Sequence, residues 1–196
     1  MDNHHIGECA QQQKSHPDYL GRGCYRTVFR LKPQVLKIDR FPTKDPNHQQ
    51  GGCALEYKIF TNEPCEILAP VTGFGTTTIE NLRDSYFSEK SYGRATINWL
   101  TMPRMTTVKE LINQEGVRAW CEPTFMRNLA SEIISSLSRY PPFRNIASET
   151  WEGKDTYQLL PSGIGNHLTL DLSLNNVGQC PVSGHWFIID YACKPR

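Results

Sequence analysis

Residues 19–39 read YLGRGCYRTVFRLKPQVLKID, and the fold turns on this stretch. Three short β-type runs, YLGRG, TVFRL and QVLKI, follow one another, and Lys32-Pro33-Gln34 is a natural hairpin turn between the last two. Gly21-Arg22-Gly23 opens the turn between the first two runs. Glycine there lets a backbone approach phosphates closely where any side chain would block it, although a plain hairpin turn uses glycine equally well. Lys37 stands inside the apolar run Val35-Leu36-Lys37-Ile38. A strand can point one polar residue outwards at no cost. A lysine that is buried instead needs an anionic partner, and Glu56, 19 residues on, can provide one.

Around this stretch the chain has 196 residues, 38% of them apolar and 21% charged, which suits one domain with a real core. Lys plus Arg is 21 against Asp plus Glu 20, a net charge of +1. Without a basic excess, neither nucleic acid nor an anionic membrane is the expected partner. No apolar run approaches the roughly 18 residues that span a bilayer. Seven cysteines, an odd number with no CxxC pair, read as reduced thiols. Six histidines show no ligand spacing that would support zinc.

Residues 1–17 are polar and read as a flexible leader, leaving 18–196 as the folded domain. In CALEYKIF, Leu55, Ile59 and Phe60 fall at helical spacing, and Pro64 stops the segment. Strands are expected around Ile67–Thr78 and Ala95–Met105, joined by a polar hairpin loop. A short helix is expected at Val108, Leu111 and Ile112. A long amphipathic one is expected from Phe125 through Leu129, Ile133, Ile134 and Leu137. Residues 144–166 read as irregular. Strands first and helices second make the chain α+β, with a sheet lobe and a helical lobe.

Carboxylates near the C-terminus carry the most chemistry. Asp171 and Asn176 lie five apart in a loop between apolar runs, and Asp190 follows the apolar Phe187-Ile188-Ile189. Hard oxygen ligands suit Mg²⁺, and a carboxylate can orient a hydroxyl.

The ordered set G-x-G-x-x-x-x-V-F, V-L-K-I, a helix Glu, Leu100-Thr-Met-Pro-Arg-Met105, D-x-x-x-x-N and I-I-D resembles the protein-kinase-like superfamily over residues 19–192. The resemblance implies a minimal bilobal fold. Its N-lobe (about 18–102) would hold an antiparallel sheet with one αC-type helix. A hinge at about 102–105 would lead to a severely truncated C-lobe (about 106–196) lacking the activation segment and late helices. It also implies ATP and Mg²⁺ as cofactors and a role for each matching residue. Gly21, Gly23 and Val28 would cover the phosphates. Lys37 would contact the α- and β-phosphates and pair with Glu56. Met102 and Met105 would line the adenine pocket. Asp171 would be the catalytic base, and Asn176 and Asp190 would hold Mg²⁺.

The chain departs from the superfamily pattern in several places. Arg26 stands at the third glycine of the loop, Thr169-Leu170 precedes Asp171 where His-Arg is usual, and Asp190-Tyr191-Ala192 replaces D-F-G. The chain stops four residues past Tyr191-Ala192, so constitutive activity without activation-loop phosphorylation is expected. So short a kinase is similar to those that bacterial pathogens inject into host cells, the HopBF effector family and more distantly the OspG and NleH effectors. That likeness implies a monomeric protein Ser/Thr kinase, secreted by a type III system into host cytoplasm. Its substrate would be a host protein, the eukaryotic heat-shock protein 90 chaperone in the HopBF case. Two other readings stand beside it: a pseudokinase that binds a host protein, and a small-molecule phosphotransferase. Arg26 either points its charge at phosphates or is an exposed loop tip. His167, His185 and the four tryptophans read as surface and packing residues.

Overall fold

A computed structural model describes residues 2–23, 25–44, 52–62, 66–84, 90–115, 135, 146–150, 157–161, 170–171 and 175–191. The chain is α+β and divides into two compact units, residues 1–59 with 70–104 and residues 60–69 with 105–196.

In the first unit, β1 (Tyr19–Arg22), β2 (Arg26–Leu31), β3 (Gln34–Asp39), β4 (Gly73–Asp84) and β5 (Lys90–Pro103) form an antiparallel sheet. Its spatial order is β1-β2-β3-β5-β4. The β2–β3 hairpin closes with Leu31 opposite Gln34, and the Lys32–Pro33 peptide at its tip is cis. Successive side chains of a strand point to opposite faces, and β3 is buried on both. Leu36 and Ile38 are 0% and 1% exposed on one side, and Lys37 and Asp39 are 4% and 3% exposed on the other.

The apolar face is covered by α1 (Asn3–Gln12), whose first turn is capped by Asp2 accepting from His4 N at 2.9 Å. Ile6, Cys9 and Ala10 of α1 join Phe29, Leu36, Ile38, Ile79 and Ile97 in one core cluster. The expectation of a flexible leader over 1–17 is thereby corrected. Mean polarity suggested solvent, but Ile6, Cys9 and Ala10 fall at helical spacing and make one small apolar stripe, enough to dock a helix of three turns.

Helix α2 (Cys53–Asn62) lies where the apolar spacing placed it, but its buried residues are Cys53, Glu56 and Ile59 rather than Leu55, Ile59 and Phe60. The strand expected at Ile67–Thr78 begins later. Pro70 lacks an N–H for a ladder, β4 starts at Gly73, and Leu68 instead bridges Ile188 in parallel within the second unit. Gly75 lies where a Cβ would stand 2.6 Å from the Trp99 ring, so that position of β4 excludes a side chain.

In the second unit, β6 (Thr106–Thr107) leads into α3 (Val108–Glu115), the short helix the apolar spacing anticipated. Thr107 Oγ1 accepts from Glu110 N at 3.1 Å while Glu110 Oε2 accepts from Thr107 N at 2.9 Å, a reciprocal cap. Residues 144–166, expected to be irregular, contain β7 (Ile146–Thr150) and β8 (Tyr157–Pro161), which pair antiparallel. β9 (Leu170–Asp171) adds to β8. β10 (Val177–Gln179) and β11 (Trp186–Ile188) form a hairpin beside β6. The long helix expected over Phe125–Leu137, the loop at 85–89 and His167 fall outside the described residues, Ser135 apart. Among the described residues no helix is long and apolar enough to cross a membrane.

Candidate functional site

Strand register assembles the candidate residues of the first unit. Gly21 pairs with Val28, Val28 with Lys37, Lys37 with Leu100 and Leu100 with Phe74, so one row crosses the whole sheet. Arg26 pairs with Asp39 one step along the same face, and Val35 with Met102 one step the other way. Helix α2 meets this face. Tyr57 stacks on Phe74 with ring centroids 4.4 Å apart and planes 6° from parallel.

At the centre lies a buried cluster of ions. Lys37 Nζ donates to both Glu56 oxygens at 3.0 Å. Arg26 Nη1 donates to Glu56 Oε2 as well. The Glu56 side chain is fully buried, and those of Arg26 and Lys37 are 5% and 6% exposed. Asp39 anchors the start of α2, accepting from Cys53 N at 2.8 Å and from Asn98 Nδ2 at 3.2 Å. Gly52, with φ +138°, lies so close that a Cβ would stand 2.8 Å from Asp39 Oδ1. Of the two sequence readings of Arg26, the exposed loop tip does not hold: the residue is 4% exposed, and the β2 register turns it inward onto Glu56 beside Lys37.

Gly21 and Gly23 behave differently from Gly52. Among the described residues no atom lies within 4 Å of the Cβ either would carry, and neither has a left-handed backbone. Gly23 N donates to Arg26 O at 2.9 Å and Arg40 Nη1 donates to Gly23 O at 2.9 Å, so the turn is held by backbone groups that any residue offers. Packing among the described residues therefore does not require glycine at either position.

In the second unit, Asn176 and Asp190 flank the open end of the β10–β11 ladder, where Ile189 N donates to Asn176 O at 2.8 Å. Both are half-buried. Tyr191 is fully buried, its hydroxyl donating to Ala69 O at 3.0 Å. Asp171, expected in a loop, closes β9 opposite Gln158. Met105 packs on Gly178, where a Cβ would stand 2.7 Å from Met105 Cβ.

One constellation escaped the sequence reading. His5 and Cys9 of α1 and His16 beyond it bring one ligand atom each within 4.8 Å of one another. Cys9 Sγ lies 3.7 Å from His5 Nε2 and 3.6 Å from His16 Nε2. These are soft-metal ligands, but Asp18 N donates to His16 Nδ1 at 3.1 Å. That places the ring proton on Nε2, facing the sulfur, whereas a metal-bound imidazole keeps its proton on the other nitrogen and donates it outward. The set closes as a hydrogen-bond chain, from Asp18 N–H through His16 and the Cys9 thiol to His5. The H-x3-C spacing on α1 was the available signal; His16 enters only through the turn that follows. Burial, with Asp18 and Glu8 adding to it, pushes the Cys9 thiol from 9.0 up to about 12. Burial and the neighbouring Asp39 push Cys53 well above its usual value. Cys180 is lowered by its hydrogen bond with the Ser183 side chain.

In comparison with known proteins, no family model and no curated sequence matches the chain.

Proposed function

We propose that the chain is a kinase-like phosphotransferase that uses ATP and Mg²⁺ to phosphorylate a protein hydroxyl. The observation that carries the reading is the buried pair between Lys37 of β3 and Glu56 of α2, on a sheet face shared in register with Gly21 and Val28. A lysine with 4% exposure is retained at a cost in desolvation that an aliphatic residue would avoid. Phosphate neutralisation is a function that explains it.

In the first unit, Gly21, Gly23 and Val28 would lie over the phosphates, Lys37 would meet the α- and β-phosphates, and Met102 would border the base. The open space at both glycines supports a close approach by something other than protein. In the second unit, Asn176 and Asp190 would hold Mg²⁺. Their oxygens are of the hard type that ion takes, and they stand at one end of one hairpin. Asp171 would take the proton of the acceptor hydroxyl as its oxygen bonds the γ-phosphorus and ADP leaves. The bilobal kinase fold, the type III effector role in a host cell and the heat-shock protein 90 chaperone as substrate extend the same proposal. They rest on the resemblance to the HopBF family.

Transfer of label from γ-labelled ATP with Mg²⁺ into a eukaryotic lysate tests it, with wild type beside Lys37→Ala and Asp190→Ala. A discrete labelled band lost in both variants supports a protein kinase, and a band of chaperone size supports the HopBF substrate. A folded protein that binds ATP and transfers nothing would make the chain a nucleotide-binding pseudokinase instead.

A further inference from the structure

We propose that Arg26 is a positioning residue, a second cation on Glu56 that frees Lys37 to move to a nucleotide phosphate without stranding a buried carboxylate. The inference rests on the nucleotide-binding reading and extends it to a residue where the kinase resemblance would have a glycine.

The geometry is of two cations on one acid. Glu56 has no exposed surface, and Lys37 and Arg26 both reach its Oε2. If Lys37 were the sole partner, any ligand phosphate that drew it away would leave a buried charge uncompensated, and that penalty would be subtracted from ligand affinity. With Arg26 in place, Glu56 keeps a charge-assisted hydrogen bond whichever way Lys37 points. The two side chains suit this division. Arginine's planar fork is the better fixed partner for a carboxylate, and lysine's compact ammonium on a flexible stem is the better mobile one. Arg26 is also tied down locally, its carbonyl accepting from Gly23 N at 2.9 Å and its backbone paired opposite Asp39. The device thus occupies the very turn that would cover the phosphates.

The test has two arms. In urea unfolding, Lys37→Met and Arg26→Met each retain a cooperative transition, while the double variant loses far more than the sum of the singles, because it takes both of these cations from the buried Glu56 at once. Strict additivity would overturn the sharing of Glu56. In Mg-ATP titration, Arg26→Met weakens binding by roughly tenfold or more, because a buried acid that has lost one of its cations holds Lys37 more tightly. Arg26→Lys restores most of the loss. The decisive variant is Arg26→Met with Glu56→Gln, which removes the charge holding Lys37 back and regains affinity. Affinity that stays low in that pair, or is unaltered by Arg26→Met, overturns the proposal in favour of a structural role or direct phosphate contact. A wild type that binds no nucleotide overturns the release of Lys37 together with the kinase reading. The unfolding arm decides the shared carboxylate independently.

Discussion

The two faces of the five-stranded sheet bury polar groups by opposite means. Under α1, the buried Cys9 thiol of the aliphatic cluster lies between the buried His16 and the half-buried His5, linked Asp18 N–H to His16 to Cys9 to His5. Under α2, four ionisable residues, Arg26, Lys37, Asp39 and Glu56, are each less than 5% exposed. A neutral chain needs only directional hydrogen bonds, and loss of one link costs about 1 kcal/mol net. An ionic cluster is stable only as a set, because each charge depends on its counter-charge. The first arrangement tolerates the loss of a member; the second does not.

The sharpest way to break this comparison is Glu56→Ala. It leaves two buried cations facing each other and should destabilise the fold by about 3–5 kcal/mol, read by urea unfolding. A loss below 1 kcal/mol would mean that the cluster is hydrated and the contrast false. On the other face, Ile6→Ala removes a side chain with no exposure and should cost about 2–5 kcal/mol. A protein indifferent to that change would restore the flexible leader that composition suggested.

A pH titration distinguishes the neutral face. The Cys9 thiol is raised in the fold from 9.0 to about 12. The unfolded chain therefore releases this proton first, and the stabilisation is fully present below pH 9 and is lost as pH rises towards 12. The difference in unfolding free energy between wild type and Cys9→Ala should accordingly shrink across that window. A constant difference would show that the thiol is not held protonated by burial. The smallest effect is expected from alkylation. Of Cys9, Cys53 and Cys180, Cys180 should react first, and Ser183→Ala should slow it by removing the hydrogen bond that lowers its pKa. Mass-resolved labelling at neutral pH gives the order.

Local pattern was enough to read the β2–β3 hairpin, α2 and α3, because period and turn chemistry act over a few residues and are written consecutively. It was also enough to nominate Lys37 and Glu56 as a pair, since a lysine within an apolar strand, if buried, needs an acid, and Glu56 on an apolar helix face can provide it. The start of β4 was misplaced because residues 67–69 are apolar enough for a strand, and only their bridge to Ile188 shows which unit they join. The pairing of β7 with β8 was missed because Ile146–Thr150 carries no strong alternation, and its partner gives it order.

By itself, then, the sequence determined an α+β chain, the hairpin that carries Lys37, and which polar residue types stand at the candidate positions. Tertiary structure alone decided that α1 docks on the sheet and that His16 meets Cys9. It also decided that Arg26 turns from a glycine-bearing loop onto the carboxylate Lys37 already holds. The reason is one of range. Spacing encodes which face a side chain takes within its own element, but Arg26 and Glu56 are 30 residues apart. Whether two charges so separated share a site is set by strand register and helix docking, which the whole chain determines together.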